Sequence, residues 1–186
     1  MVTNNSKARG SEFERTIAKF LTNWLTGKEK PYVLWRSPSS GSMVTNRVST
    51  DASGDIIAIM PEGRIITDII SLELKVGYVE VDLLKHFKKQ KNNILEGFWE
   101  QCIRDSRIAN KYGMLVYRKK GYPIVLGTER NLINRLTDQE IILPKCLSLC
   151  FDYELPEMVM FDFIDFFSAI KPENLQQVKA SGINFS

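Results

Sequence analysis

The sequence predicts a mixed α/β fold, in which a central β-sheet is flanked by helices. Apolar runs of the β type, at residues 55–75, 113–118 and 123–128, are separated by turn signals that contain Gly or Pro. Apolar residues at helical spacing precede these runs at residues 11–26 and separate them at residues 80–113. The runs are rich in Val, Ile and Leu, which is typical of strands buried on both faces. Strands and helices in this order indicate a layered α/β sandwich.

The chain of 186 residues is long enough for one domain, or for one domain with an elaboration. We expect a flexible tail at residues 1–10, a core at residues 11–128, and a C-terminal extension at residues 129–186. In that extension, residues 129–136 and 156–170 are predicted to be helical, and residues 140–143 and 146–153 to form strands. The helix at 156–170 is strongly apolar, so we expect it to cover the core or to form a dimer contact.

The first predicted helix, at residues 11–26, carries an apolar stripe and one acid of interest. Phe13, Ile17 and Leu21 recur at the spacing of an amphipathic helix. Ser11 and Glu14 match the capping-box pattern, in which the glutamate only reaches back to the backbone at the start of the helix. Glu14 could instead face a functional site, and both interpretations stay open at this point.

The run at residues 55–75 predicts a β-hairpin that gathers charged side chains. A Pro-Glu-Gly turn signal at residues 61–63 joins its two halves. Side chains alternate along a strand, so Glu73 and Lys75 point to the same face, and pairing would bring Asp55 beside Glu73. Two carboxylates and an ammonium group on one small surface suit the binding of Mg²⁺ and the activation of a water. Asp68 is a reserve candidate on the opposite face.

Five short motifs occur in an informative order along the chain. They are GSEFER at residues 10–15, SGS at 40–42, DIIA at 55–58, ELK at 73–75 and EQ at 100–101. This order resembles the PD-(D/E)XK nuclease superfamily, and within it the archaeal-type Holliday junction resolvases. The resemblance covers about residues 7–128 and implies a restriction-endonuclease-like core. Two features depart from the family pattern: Gly54 stands where proline often precedes the acid, and the run at 64–75 is longer than the usual strand.

The resemblance implies a role for each motif residue. Asp55, Glu73 and the backbone carbonyl of Leu74 would hold one or two metal ions, and Glu14 could complete a second metal site. Lys75 would orient or deprotonate the attacking water, and Gln101 would help to place Lys75. The implied cofactor is Mg²⁺, for which Mn²⁺ could substitute.

Charge is distributed as expected for a protein that binds DNA. Residues 1–50 hold eight Lys and Arg against three Asp and Glu, and residues 76–120 hold ten against five, around an acidic centre. Such basic segments would attract phosphates, although solvated helix faces have the same composition. The residues expected to contact DNA, some of them by the resemblance alone, are Arg9, Arg15, Arg36, Ser40, Ser42, Arg47, Lys88, Lys89 and Lys91. The loop that holds Ser40, Ser42 and Arg47 could also be an ordinary flexible surface loop.

Other classes of function find little support in the sequence. There is one His, and no nucleophile-elbow or Walker-type motif is present, which opposes Ser or Cys hydrolases and a nucleotide cofactor. Cys102, Cys146 and Cys150 lack the spacing of a zinc site, so we expect buried free thiols. The polar amino terminus has no signal-peptide pattern, and no apolar run could span a bilayer. We therefore expect a cytoplasmic protein with no membrane partner.

Three functional hypotheses follow from these residues and the resemblance. The first is a homodimeric, structure-specific DNA endonuclease that cuts branched DNA in recombination or repair. The second is a phage or defence-type nuclease of the same superfamily that acts on linear or single-stranded DNA. The third is a catalytically silent DNA-binding module. Silent members typically lose an acid or the lysine, and this chain keeps Asp55, Glu73 and Lys75.

Overall fold

The computed structural model describes residues 3–38, 53–78, 94–151 and 154–183, with side chains from residue 6 onward. The helices are α1 (Thr3–Thr26), α2 (Arg64–Thr67), α3 (Ile94–Ile108), α4 (Arg130–Thr137), α5 (Phe163–Ala169) and α6 (Pro172–Ala180). The strands are β1 (Leu34–Arg36), β2 (Ile56–Ala58), β3 (Ile70–Val76), β4 (Tyr112–Arg118), β5 (Ile124–Glu129), β6 (Leu147–Leu149) and β7 (Met158–Asp162). A single 3₁₀ turn, Pro61–Gly63, precedes α2. In these parts of the chain no helix is both long and apolar enough to cross a membrane.

Five strands form a mixed sheet in the order β3-β4-β5-β7-β6. β3 is parallel to β4, and the remaining neighbours are antiparallel. A parallel pair needs a long crossover, and α3 lies in the connection between β3 and β4. The predicted mixed α/β fold of the restriction-endonuclease type, with helices flanking a central sheet, is confirmed. β3 lies at one edge of this sheet, which leaves its outer side open for other contacts.

The sheet separates two apolar clusters, and the alternation of side chains assigns each β3 residue to one of them. Leu72 and Leu74 pack into the larger cluster, which also contains buried side chains of α1, α4, α5 and α6. On the other face, α3 packs through Trp99 onto the smaller cluster. Glu73 faces this α3 side. The polar side chains of β3 therefore point toward α3, as the parity of the sequence predicts.

The predicted hairpin at residues 55–75 is wrong. β2 pairs with β1 in a separate antiparallel pair, in which Arg36 lies opposite Ile56, and the segment between β2 and β3 is helical. Pro61 occupies the start of the 3₁₀ turn, where its fixed φ is favourable. A Cβ on Gly63 would lie 2.4 Å from the Val33 carbonyl oxygen, so the close packing of this turn requires glycine. The additional length of the run 64–75 is α2 rather than an extension of the strand.

Asp68, the reserve candidate, lies away from the other acids of interest. It forms the C-cap of α2, and its carboxylate pairs with Arg64 and with Lys179 of α6. These contacts tie α2 to α6 on the surface, so Asp68 has a local structural role.

The first helix begins earlier than predicted. α1 starts at Thr3, so residues 3–10 are helical and do not form a loose tail. Ser11 therefore lies inside the helix and cannot be its N-cap. The capping-box interpretation of Glu14 is wrong for this reason.

The segment at residues 156–170 is a strand followed by a helix, and the prediction of one long helix is wrong. Asp162 ends β7 and caps α5, because its Oδ1 accepts the backbone N–H groups of Ile164 and Asp165 at 2.8 and 3.1 Å. β7 lies between β5 and β6, so strands from both sides of position 128 share one sheet. Most of the apolar side chains are covered within the chain; Phe161 and Phe166, for example, are buried, whereas Ile164 is 48% exposed. They provide no evidence for a dimer contact.

Two smaller expectations for the C-terminal region are also corrected. Residues 141–146 have no regular structure, and the described part of the strand expected at 146–153, which is residues 146–151, contains only β6. Cys102 is buried as predicted, whereas Cys146 and Cys150 are exposed. Exposure follows from their position on either side of the short strand β6, two of whose three residues are themselves exposed.

Candidate active site

Asp55 is fixed against the open edge of β3 by its own backbone and side chain. Its N–H donates to the Leu72 carbonyl at 2.7 Å, and the Leu74 N–H donates to its Oδ2 at 2.8 Å. The preceding Gly54 has φ +86°, and a Cβ there would lie 2.6 Å from the Leu72 carbonyl oxygen. Proline, with φ fixed near −65°, cannot adopt this conformation. This explains why glycine replaces the proline of the family pattern.

Glu73, Lys75 and Gln101 form a closed triangle of hydrogen bonds between β3 and α3. Lys75 Nζ donates to Glu73 Oε1 at 2.6 Å and to Gln101 Oε1 at 3.1 Å. Gln101 Nε2 donates to the same Glu73 oxygen at 2.9 Å. Glu73 is 9% exposed, and its Oε2 accepts no hydrogen bond from the described residues. The triangle therefore fixes the lysine and leaves one carboxylate oxygen available.

Two aromatic residues that the sequence analysis did not assign to the site complete the surroundings of Lys75. Lys75 Nζ lies 5.3 Å from the centroid of the Phe98 ring, within the range of a cation–π contact. The Tyr78 ring meets Phe98 edge-on, with a centroid distance of 4.6 Å. Phe98 precedes Gln101 by three residues and so shares its face of α3. That spacing is the signal by which Phe98 could have been found.

Glu14 and Arg36 approach the site from α1 and β1. Arg36 Nε donates to Glu14 Oε2 at 2.9 Å. Arg36 is held next to Asp55, because the following N–H, that of Ser37, donates to the Asp55 carbonyl at 2.7 Å. The negative charge of Glu14 acts on Asp55 strongly enough to be one cause of its raised pKa. Glu14 therefore belongs to the surroundings of the site.

The other predicted DNA contacts have different outcomes. A Cβ on Gly77, at the end of β3, would lie 4.0 Å from a terminal nitrogen of Arg9, which places this arginine beside the site. Arg15 is exposed on α1, one position beyond Glu14. The remaining six predicted contacts lie outside the described residues; they are Ser40, Ser42, Arg47, Lys88, Lys89 and Lys91.

The electrostatics of the site show an excess of negative charge around Asp55. Burial and then the neighbouring Glu73 carboxylate raise the pKa of Asp55 to about 7, although the Leu74 N–H acts in the opposite direction. Burial opposes the charge on Lys75, but the Glu73 carboxylate outweighs it and raises the pKa of Lys75 above its ordinary value. The two carboxylates lie at close range with one lysine beside them. A further cation would therefore stabilise the charged forms of these carboxylates.

Comparison with known families agrees with this geometry. A family profile described as "Phage putative PDDEXK endonuclease" matches residues 5–177 of the chain. The chain belongs to this phage PDDEXK endonuclease family. Searches of curated proteins and of solved structures found no significant match. The predicted membership of the PD-(D/E)XK superfamily is confirmed, and the match extends well beyond residue 128 to include β7 and α5.

The donor set of this PDDEXK nuclease fits a hard divalent cation. In the described segments, no group of three or more His, Cys, Asp and Glu side chains could hold a metal ion. Asp55 and Glu73 nevertheless each have an oxygen free of protein hydrogen bonds within those segments. The Leu74 N–H faces the outer edge of β3, and the N–H and C=O of one strand residue face the same side, so its carbonyl also points there. Two carboxylates and one carbonyl are oxygen ligands that Mg²⁺ accepts.

Proposed function

We propose that this nuclease is a Mg²⁺-dependent DNA endonuclease that hydrolyses phosphodiester bonds in branched DNA. The observation that carries the proposal is the meeting of Asp55, Glu73 and Lys75 at one edge of β3. Asp55 and Glu73 would hold the metal together with the Leu74 carbonyl, and Mn²⁺ could replace Mg²⁺. Bound metal would supply a water of lowered pKa and would neutralise charge on the phosphate.

The protein groups of the site have separate tasks in this mechanism. Lys75 is held as a cation by Glu73 and Gln101, so its ammonium can stabilise negative charge that develops on the phosphate oxygens. Gln101 positions Lys75, and the Phe98 ring covers the same ammonium group. These contacts are made by side chains of the protein itself, so the protein orients the charge of Lys75. Glu14, which is paired with Arg36 and contributes to the raised pKa of Asp55, would assist a second metal ion.

Phosphate binding is assigned to the cations around the site. Arg36 lies next to Asp55, and Arg9 lies beside the end of β3. Arg15 is exposed on the same helix as Arg9. The six predicted contacts in residues 40–47 and 88–91 would extend this surface. Sequence-independent phosphate contacts of this kind would make affinity fall steeply with salt.

The choice of branched DNA, and of a homodimer acting in recombination or repair, rests on the motif order shared with junction resolvases. A second candidate function has its own support, because the matching family is described as a phage endonuclease. In that case the enzyme would cut linear or single-stranded DNA. The described cysteines are free thiols, which suits the reducing cytoplasm that we propose as its compartment. A silent binding module is disfavoured, because the acids and the lysine are all in place.

Cleavage of three labelled substrates of matched sequence tests the proposal. A four-way junction, a linear duplex and a single strand would each be incubated with Mg²⁺, with Mn²⁺ and with EDTA. Asp55→Asn is the test variant, and Asp68→Asn is its matched control, because it makes the same chemical change at an acid paired on the surface.

The proposal expects metal-dependent cutting of the junction at symmetric positions, lost in Asp55→Asn and kept in Asp68→Asn. Cutting of linear DNA at an equal or higher rate would favour the phage-type nuclease. Metal-independent cutting, or full activity in Asp55→Asn, would overturn the assigned site. A folded wild-type protein that binds DNA but cuts none of the substrates would indicate the silent module.

A further inference from the structure

A groove of about 550 Å³ opens on the sheet beside the candidate active site. The end of β4 contributes Tyr117, and the turn that follows contributes Lys119 and Tyr122. Residues of β5, β6 and β7 line the remainder, together with Lys145 before β6. The volume lies within the range of about 300–1,000 Å³ that is typical of ligand sites. No role in the cleavage chemistry proposed above uses this groove.

The groove adjoins the site through Tyr117. Lys75 and Tyr117 are directly paired across the parallel strands β3 and β4, whose spacing is about 4.8 Å. Tyr117 packs on the same apolar cluster as Phe98, whose ring contacts the Lys75 ammonium. The groove thus begins one strand away from the lysine, on the same face of the sheet.

The chemistry of the lining combines an aromatic surface with positive charge. Tyr122 is 62% exposed, and Lys119 Nζ lies 5.2 Å from the centroid of its ring. Lys145 is exposed on the opposite wall, and Val125 and Met160 provide apolar surface between the walls. The lining also contains one acid, Asp162, but its Oδ1 is committed to the N-terminus of α5. The groove therefore suits a ligand with flat apolar faces and negative charge.

We propose that this groove binds an unpaired segment of the DNA strand next to the scissile phosphate, a substrate preference that rests on the proposed nuclease function. Unpaired bases can stack on tyrosine rings while lysines contact their phosphates, which is the usual way in which proteins bind single strands. Bases within an intact duplex have both faces covered by their neighbours and cannot stack on Tyr122. The groove accordingly favours DNA in which the strand beside the cut is unpaired.

Binding can be measured without cleavage by fluorescence anisotropy in EDTA. The probes are a labelled oligothymidylate of about 12 nucleotides, within the roughly 4–16 nucleotides that one strand-binding module covers, and a duplex of equal length. Tyr122→Ala removes the ring, and Tyr122→Phe keeps it. Lys145→Gln removes one groove cation, and Lys28→Gln removes an exposed cation next to α1, which packs on the opposite face of the sheet.

Tyr122→Ala should weaken binding of the single strand about tenfold, as expected for the loss of one stacked base. Tyr122→Phe should bind as wild type does, because the stacking surface is retained. Lys145→Gln should reduce the salt slope of single-strand binding by about 0.7, whereas Lys28→Gln should leave it unchanged. Affinity for the duplex should fall less than affinity for the single strand in Tyr122→Ala.

The outcomes separate this inference from the proposed function. If the wild type cleaves DNA but Tyr122→Ala binds the single strand normally, the groove inference is wrong and the nuclease stands. Equal weakening of single strand and duplex, or no single-strand binding by the wild type, would also overturn it. Binding that depends on Tyr122 in a protein without cleavage would remove the nuclease proposal and leave the groove as a strand-binding site.

Discussion

Two carboxylates contact helix α3, and their surroundings differ in one decisive respect. Glu129, at the end of β5, is 0% exposed, and Arg107 donates to both of its oxygens at 2.9 and 2.6 Å. The Gly113 N–H adds a third hydrogen bond at 2.7 Å. Glu73, on β3, has both of its donors, Lys75 and Gln101, on a single oxygen. Among the residues that the structure describes, one carboxylate is saturated with hydrogen-bond donors, and the other is not.

The difference shows how a structural ion pair can be distinguished from a candidate catalytic one. A buried carboxylate that is fully hydrogen-bonded fixes the packing of helix on sheet, and breaking its pair leaves an uncompensated charge. Glu73 retains an oxygen and lies close enough to Asp55 to raise the pKa of that acid. Like charges held together at a cost in stability are characteristic of functional sites. The two carboxylates should therefore respond to mutation in opposite ways.

Removing the Lys75 charge should reduce activity more than the other substitutions compared in this series. Lys75→Met removes the cation that faces the reacting phosphate, and we expect DNA cleavage to fall by about 10³-fold. Lys179→Met is a matched control, because Lys179 Nζ also lies 2.6 Å from a carboxylate oxygen, that of Asp68 on the surface. Single-turnover cleavage rates should separate the two variants. A similar loss in both would mean that Lys75 has no special role.

Truncating the saturated carboxylate should affect stability more than any other change here. Glu129→Ala removes the acceptor of the Gly113 N–H and both hydrogen bonds from Arg107 to this carboxylate, and we expect a loss of about 3–5 kcal/mol in the free energy of unfolding. Urea denaturation provides the measurement. Glu157→Ala, which breaks a partly exposed pair with Arg130, should cost below about 1 kcal/mol. Equal losses would contradict the structural role assigned to Glu129.

A substitution at Gly54 that displaces Asp55 should reduce both activity and stability to an intermediate degree. In Gly54→Ala the Cβ would clash with the backbone of Leu72, and a shift of Asp55 of about 1 Å should lower cleavage by about 10²-fold. Gly27→Ala is a strong control, because Gly27 also has positive φ but nothing lies within 4 Å of a Cβ there. Both variants should lose about 1–3 kcal/mol through backbone strain. Unaltered cleavage in Gly54→Ala would show that the position of Asp55 is not critical.

Breaking the surface ion pair between Asp68 and Lys179 should have the smallest effect on stability, and this effect should depend on pH. Partial burial would raise the pKa of Asp68, but hydrogen bonds from Lys179 and Arg64 outweigh it and hold the pKa below its ordinary value of 3.8. The stabilisation is therefore fully present above that ordinary value and is lost as the pH falls through the lower folded-state pKa. Wild type should exceed Lys179→Met in unfolding free energy by less than about 1 kcal/mol at pH 7. Urea curves at pH 2 should show a smaller gap, and an unchanged gap would contradict the assignment.

Much of the candidate site could be predicted from the sequence, because its residues occupy elements with clear periodicity. The alternation of Glu73 and Lys75 on a buried strand, and the position of Gln101 on a helix, are local patterns. The structure brings these three residues together with Asp55, Glu14 and Arg36. The arrival of Asp55 at the edge of β3 depends instead on the conformation of Gly54. Only the tertiary structure shows that conformation.

The errors in the fold have common physical causes. The apolar run at 156–170 has no clear period, and a strand followed by a short helix is as compatible with it as one helix is. The acid that divides the two elements, Asp162, is a good N-cap, and it is the signal that could have revealed the break. At residues 59–69 the Pro-Glu-Gly sequence suits both a hairpin turn and the start of a helix. Packing of Gly63 against Val33 favours the helix.

The central claim is that the Glu73 carboxylate serves catalysis, whereas the Glu129 carboxylate serves stability. Glu73→Gln tests this claim most directly when cleavage and stability are measured on the same preparation. The substitution removes one of two neighbouring negative charges and keeps the shape of the side chain. We predict that Mg²⁺-dependent DNA cleavage is lost while the free energy of unfolding in EDTA changes little, because the relief of repulsion on Asp55 offsets the loss of the ion pair with Lys75. Retained cleavage, or a loss of stability comparable to that of Glu129→Ala, would contradict the account.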